Sequence, residues 1–210
     1  MFYAISGQAS NRYKYVALDH GYYEIERLEC SDCGRTYQKC QMVYCPPEMR
    51  LEGGKRYPDF LSISVPFEDK CGIIVSSKVL DAFLNERKTG FQAMPIDIEV
   101  DHIIEYEEVP QYFYLLVSGR ISLDYTAMRY RKKNYCPVCG SYVWSRQNVG
   151  ESALDHGSWD GADLCCLTDF PNFVICTQRV INLVRAYRFK GACMRSSSEL
   201  FMPLKAVKIC

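Results

Sequence analysis

Two stretches of the chain repeat one order of apolar and polar positions. In "GIIVSSKVLDAFLNERKTGF", Gly72–Phe91, a short apolar run meets a serine, then apolar residues three and four positions apart, then a glycine. "NFVICTQRVINLVRAYRFKGA", Asn172–Ala192, follows the same plan with Thr177 in place of Ser76. The two align without a gap, Val79 on Val180 and Gly90 on Gly191, each pair 101 positions apart. A strand that runs into a Ser/Thr-capped amphipathic helix closed by glycine explains this pattern. Val79, Leu80, Phe83 and Leu84 fall on one helical face of the first copy, and Val180, Ile181 and Val184 on one face of the second. Both helices are therefore expected to lie on a sheet. Extended runs follow each, "FQAMPIDIEV" and "ACMRS", so each copy reads as a strand–helix–strand unit.

Around the units the punctuation changes. "CPPEMRLEGGKRYPD" and "RQNVGESALDHGSWDGAD" are rich in Gly, Pro and polar residues and read as loops. The N-terminal region around Tyr13, Tyr15, Tyr22 and Tyr23 reads as strand, and the twice-used "LDHG" (Leu18–Gly21, Leu154–Gly157) as a turn sequence. A chain of 210 residues can bury a substantial core, and 48% hydrophobic with 24% charged residues is ordinary for a folded chain. The expected organisation is a single composite domain over 1–210 with pseudo-repeat units at 25–100 and 130–210. No apolar run is long enough for a membrane span and the N-terminus lacks the pattern of a signal peptide, so a cytoplasmic protein with no membrane partner is expected. The 25 basic and 25 acidic residues cancel, which leaves no overall field for nucleic acid.

Twelve cysteines change the picture. In a reducing compartment thiols stay free, so metal ligation is the better reading for the paired ones. "ECSDCGRTY" and "YCPVCGSYVW" each place two cysteines two residues apart with a glycine directly after. Zn2+ takes four tetrahedral ligands, and C-x-x-C supplies two thiolates on one tight turn. Cys30, Cys33, Cys136 and Cys139 are thus the expected ligand set of one closed, structural site. Two unrelated pairs, redox motifs, or a site made of Cys30, Cys33, Cys40 and Cys45 alone remain as alternatives. A redox motif normally opens a helix, whereas "RTYQ" and "SYVW" look like strands. The other eight cysteines read as small core residues. The fold class that follows is α+β, two similar strand–helix–strand lobes joined by a split zinc-ribbon site.

Two CxxCG knuckles about a hundred residues apart, with "DFPNFVICTQRVINLVRAYRFKGA" behind the second, resemble the bacterial double-CXXCG-motif family. The resemblance runs in order over nearly the whole chain. It carries over Cys30, Cys33 and Gly34, then Cys136, Cys139 and Gly140, and the segment Leu167–Cys176; Ser31 and Asp32 stand where a knuckle proline is usual. That family is understood as immunity proteins, so the resemblance implies an antitoxin that binds and neutralises a cognate protein toxin, without catalytic residues or a small-molecule substrate.

A partner-binding surface is expected on "PIDIEVDHIIEYEE", where Asp97, Glu99 and Asp101 alternate with Ile96, Ile98 and Val100 and the acidic run continues through Glu105, Glu107 and Glu108. Such a strip of carboxylates fits a basic toxin cleft and speeds association. Tyr106, Tyr112 and Tyr114 are candidate aromatic anchors, although tyrosines in such runs more often pack in a core. The alternative function is a nucleic-acid-binding zinc ribbon using the basic strand 129–133, with Arg129, Arg131 and Lys133 on one face and Tyr130 and Tyr135 for stacking. For catalysis, no H-x-E zinc-deaminase pattern, P-loop or nucleophile elbow occurs; Cys165 or Cys166 with His156 is the sole formal nucleophile pair.

Overall fold

The computed structural model describes residues 1–8, 11–17, 23–34, 36–42, 48–61, 72–100, 103–104, 107–124, 131–133, 143–145, 154–168 and 170–197. Both predicted helices are present, α1 at Ser77–Asn85 and α2 at Gln178–Ala186, again 101 positions apart. Each follows a strand without a break, β7 (Gly72–Ser76) and β15 (Phe170–Thr177), and each leads to another, β8 (Phe91–Val100) and β16 (Ala192–Ser196). The strand–helix–strand units are therefore real, and the fold is α+β.

Each unit belongs to its own six-stranded sheet. The first runs β2 (Tyr15–Ala17), β5 (Glu48–Glu52), β8, β9 (Tyr112–Val117), β7, β6 (Phe60–Leu61). The second runs β13 (Leu154–Asp155), β10 (Gly119–Leu123), β14 (Leu164–Leu167), β15, β1 (Phe2–Gly7), β16. Two separate hairpins complete the described strands, β3 (Tyr23–Glu29) with β4 (Thr36–Met42), and β11 (Arg131–Lys133) with β12 (Val143–Ser145). Within the predicted loop at 45–59 the structure holds β5. Its period-two core residues, Met49 and Leu51, are buried, and the flanking Pro-Pro and Gly-Gly had masked that short alternation.

The core lies in three places. One cluster takes residues from both lobes: Val75, Val79 and Phe83 from the first, Cys176, Val180 and Val184 from the second, with Ile5 between them. Helix α1 packs on β7 and β9, and α2 on β15 and β1. The outer faces of the sheets carry the other two clusters, one around Tyr112, Tyr114 and Ile74, the other around Phe2, Leu167 and Ile175. Sheets covered on both faces explain why the aromatic run Tyr112–Val117 is buried on both sides. Leu84 departs from the predicted apolar face and is 57% exposed, since the buried arc is completed by Ala82 instead.

The helix ends are tied off in the same way, though not as the sequence suggested. Ser76 and Thr177 occupy the N-cap positions, but neither hydroxyl bonds its own helix. At the other end the left-handed residue is not glycine: Arg87 (φ 50) and Arg188 (φ 53) fill that position. The N–H of Lys88 donates to the Phe83 carbonyl and that of Phe189 to the Val184 carbonyl, at 2.8 and 3.2 Å. This is the six-to-one bond of a Schellman motif. Gly90 and Gly191 come three residues later and serve close packing: a Cβ on Gly90 would lie 2.2 Å from the Leu164 carbonyl oxygen, one on Gly191 2.5 Å from Pro58.

Candidate functional site

The first knuckle sits at the tip of the β3–β4 hairpin, whose last pair is Glu29 opposite Thr36. Between them the chain turns through Cys30 and Cys33, and the Gly34 N–H donates to the Cys30 carbonyl at 2.9 Å. Gly34 holds a φ of +66, which a side chain resists. Cys30 is 4% exposed and Cys33 half-buried. The second knuckle falls between β11 and β12, which pair antiparallel with Lys133 opposite Val143. The first CxxCG thus lies at the turn of an antiparallel hairpin, the setting of a ribbon's knuckle, and the second falls in sequence between two paired strands. Cys136 and Cys139 themselves lie outside the described residues. Among the described residues no cluster of three or more Cys, His, Asp or Glu is gathered around a common point.

The acidic strip is only partly as read. Ile96 is buried and Ile98 and Val100 pack on the outer core, while Asp97 and Glu99 are exposed on the other side of β8. Asp97 stands opposite Glu48 on the neighbouring β5, and Glu99 opposite Arg50. Glu108 is exposed, whereas Glu107 is half-buried and its carboxylate accepts the Tyr57 N–H at 3.3 Å. Asp101 and Glu105 lie outside the described residues, as does Tyr106. Two of the proposed aromatic anchors are corrected. Tyr112 is fully buried, its hydroxyl donating to the Pro58 carbonyl at 2.7 Å, and Tyr114 is 1% exposed. Burial, then the nearby Asp59 carboxylate, pushes the Tyr112 phenol above its ordinary range. On the basic strand, Arg131–Lys133 form β11 with Lys132 opposite Trp144; Arg129, Tyr130 and Tyr135 lie outside the described residues.

The cysteines of the second lobe are core groups. Cys165 is fully buried, its thiol donating to the Ala162 carbonyl at 3.5 Å, and burial pushes it up to about 12. Cys176, also fully buried, is raised by the same desolvation. A thiol held protonated in this way is a poor nucleophile. His156 packs edge-on against the Phe2 ring at 5.2 Å. Cys166 is disulfide-bonded, against the reading of unpaired thiols. The "LDHG" at 154–157 is strand β13 at Leu154–Asp155 and then opens a 3-10 turn at His156–Ser158, whose Gly157 N–H donates to Asp155 at 2.9 Å, while Leu18–Gly21 lies outside the described residues.

Sequence reasoning missed two carboxylates, Asp59 and Asp163, each the last residue of a predicted loop. The Ser76 hydroxyl donates to Asp59 at 3.1 Å and the Thr177 hydroxyl to Asp163 at 2.8 Å. The second oxygen of each reaches the other lobe. Asp59 accepts the Lys190 N–H at 2.6 Å and Asp163 the Thr89 N–H at 3.3 Å; the same Asp163 oxygen also accepts an Arg179 guanidinium N–H of its own lobe at 3.3 Å. The pair joins each helix start to the turn that follows the other helix. Its one sequence signal is an aspartate directly before an apolar residue, upstream of the helix-capping Ser/Thr.

No protein-family model matches the chain, and no curated protein matches it. Among the described residues no helix is long and apolar enough to cross a membrane.

Proposed function

We propose that this protein is a cytoplasmic immunity protein that binds and neutralises a cognate bacterial protein toxin, with one structural Zn2+ held by Cys30, Cys33, Cys136 and Cys139. The observation that carries the reading is a pair of antiparallel strand pairs: β3 and β4 turn through Cys30–Gly34, and β11 and β12 bracket Cys136–Gly140 in the chain. Four thiolates close the coordination sphere, so the ion would hold the fold and activate no water. Neutralisation by occlusion requires a shaped, rigid surface and no reacting group. The interlocked lobes and their shared core support that demand. Asp97, Glu99 and Glu108 are exposed carboxylates, which would steer the protein to a basic cleft and act mainly on the association rate.

The test is co-expression with a candidate toxin taken from a neighbouring gene. Cells should survive when this protein is present and die without it, and the two proteins should co-purify. Charge reversal at Asp97 and Glu99 together should slow association by roughly tenfold at low salt, with less effect at high salt. Protection without a stable complex would refute the binding mechanism. The alternative, a nucleic-acid-binding ribbon using Arg131–Lys133, predicts instead binding to oligonucleotides that weakens steeply with salt.

A further inference from the structure

The two lobes agree far beyond their helices. Ser76 pairs with Tyr112 on β9, and Thr177 pairs with Phe2 on β1. Phe91 pairs with Val117, and Ala192 with Gly7. Phe60 pairs with Val75, and Leu164 with Cys176. Strand by strand, β6, β7, β9 and β8 in one sheet occupy the places of β14, β15, β1 and β16 in the other.

The hydrogen bonds outside the strands keep the same correspondence. The Ser77 N–H donates to the Gln111 carbonyl at 2.8 Å, and the Gln178 N–H to the Met1 carbonyl at 3.2 Å. The Ser118 N–H donates to the Gly90 carbonyl at 2.8 Å, and the Gln8 N–H to the Gly191 carbonyl at 2.6 Å. The Leu164 N–H reaches the Thr89 carbonyl at 3.0 Å, and the Phe60 N–H the Lys190 carbonyl at 3.1 Å. These last two bonds run between lobes, in both directions. A pseudo-twofold axis therefore relates the lobes as parts of one interlocked body, and Asp59 and Asp163 are one junction seen twice.

One element breaks the chain order. In the first lobe β9 follows β8, whereas its counterpart β1 lies far upstream of β15 and β16 in the chain. We infer that the second lobe is a circularly permuted copy of the first, closed by β1 acting as a strap. The strap is central, not peripheral: β15 and β16 are joined only through β1 in the described sheet. Its two faces feed two cores, Ile5 entering the shared cluster and Phe2 the outer one. The first lobe's four-strand unit is contiguous from Phe60 to Val117; the second remains open in its middle until the N-terminal strand is inserted.

The permutation can be reversed with every residue retained. Residues 111–210 are placed first and joined through a short Gly/Ser linker to residues 1–110. In that chain β9 becomes the leading strap of the first lobe and β1 follows β16, so the lobes exchange roles. Gln111 then stands where Met1 stood, its carbonyl still facing the first helix N–H. The expected result is a soluble protein with the parent's near-UV circular dichroism and a thermal midpoint within about 5 °C of it, as for cuts at sites compatible with a fold. A second measurement covers a permutant of lower stability. Ser6 and Cys193 are Cα partners on β1 and β16, Ser6 exposed and Cys193 a half-buried free thiol. With Ser6→Cys introduced, mild oxidation should couple position 6 to Cys193 in the permutant as in the parent. An aggregated permutant, or a soluble one in which position 6 fails to couple while the parent couples, would overturn the inference.

Discussion

Replacing Asp163 with alanine removes the acceptor of three hydrogen bonds at a site where its side chain is 2% exposed. The Thr177 hydroxyl, buried at 9% exposure, loses its acceptor outright, and an unsatisfied buried donor costs about 1–3 kcal/mol. Thr89 is exposed, so its N–H recovers water and adds roughly 0.5 kcal/mol. The ion pair to Arg179 contributes little, roughly 0–1 kcal/mol, because the guanidinium is 65% exposed. The expected loss is about 2–4 kcal/mol, which at this chain length lowers the thermal midpoint by about 5–15 °C. Asp59→Ala at the equivalent but half-buried junction should cost about half as much. Asp163→Asn should fall between, because one amide oxygen still accepts. Urea unfolding at low and high salt supplies the assay. A loss below about 0.5 kcal/mol, or one abolished by high salt, would refute the hydrogen-bonded lock in favour of a surface ion pair.

The helix ends and the buried thiols make two further predictions. Arg87→Gly and Arg188→Gly relieve a left-handed backbone at the Schellman position, so each should raise stability by about 0.5–1 kcal/mol, read from the urea midpoint. A loss at both positions would show that the arginine side chains hold contacts worth more than the strain. Cys165 and Cys176 should resist alkylation at pH 8 in the folded protein. Their folded thiols keep the proton while unfolded ones ionise from the ordinary value of 9.0, so the stabilisation is complete below pH 9 and lost as pH rises through the raised folded values, about 12 for Cys165 and higher for Cys176. Each group contributes a fall of about 1.4 kcal/mol per pH unit in that window. Urea unfolding at pH 8 and pH 10.5 reads it, and a flat profile would contradict the burial.

What could be read from residues alone was whatever repeats locally. The helix boundaries fell at the expected spacing because amphipathic period and capping positions are short-range properties. Strand partnership is not: nothing near Phe2–Gly7 announces pairing with Phe170–Thr177 across the whole chain. Arg87 and Arg188 hid the helix ends because glycine is the usual left-handed residue, and the visible glycines, Gly90 and Gly191, are spent on backbone contact with the opposite lobe. Asp59 and Asp163 looked like loop polarity, since a carboxylate's burial depends on an element that arrives from the other lobe. For Tyr112 and Tyr114 the sequence left interface anchor and core both open, and they fall to the core because the second covered face of the sheet comes from β-strands elsewhere in sequence. Of the two knuckle sequences, the first is seen as a hairpin turn between β3 and β4, while Cys136–Gly140 lies outside the described residues, between the paired strands β11 and β12.

The proposed zinc ion would draw together two CxxCG sequences remote from one another in the chain. Elemental analysis of purified protein, with Cys30→Ser and Cys136→Ser variants measured beside it, tests this directly. One zinc per chain, lost in each variant, is the predicted result. Metal-free native protein would contradict the claim, and so would zinc retained by Cys136→Ser, which would place the ligands in the N-terminal cysteines alone.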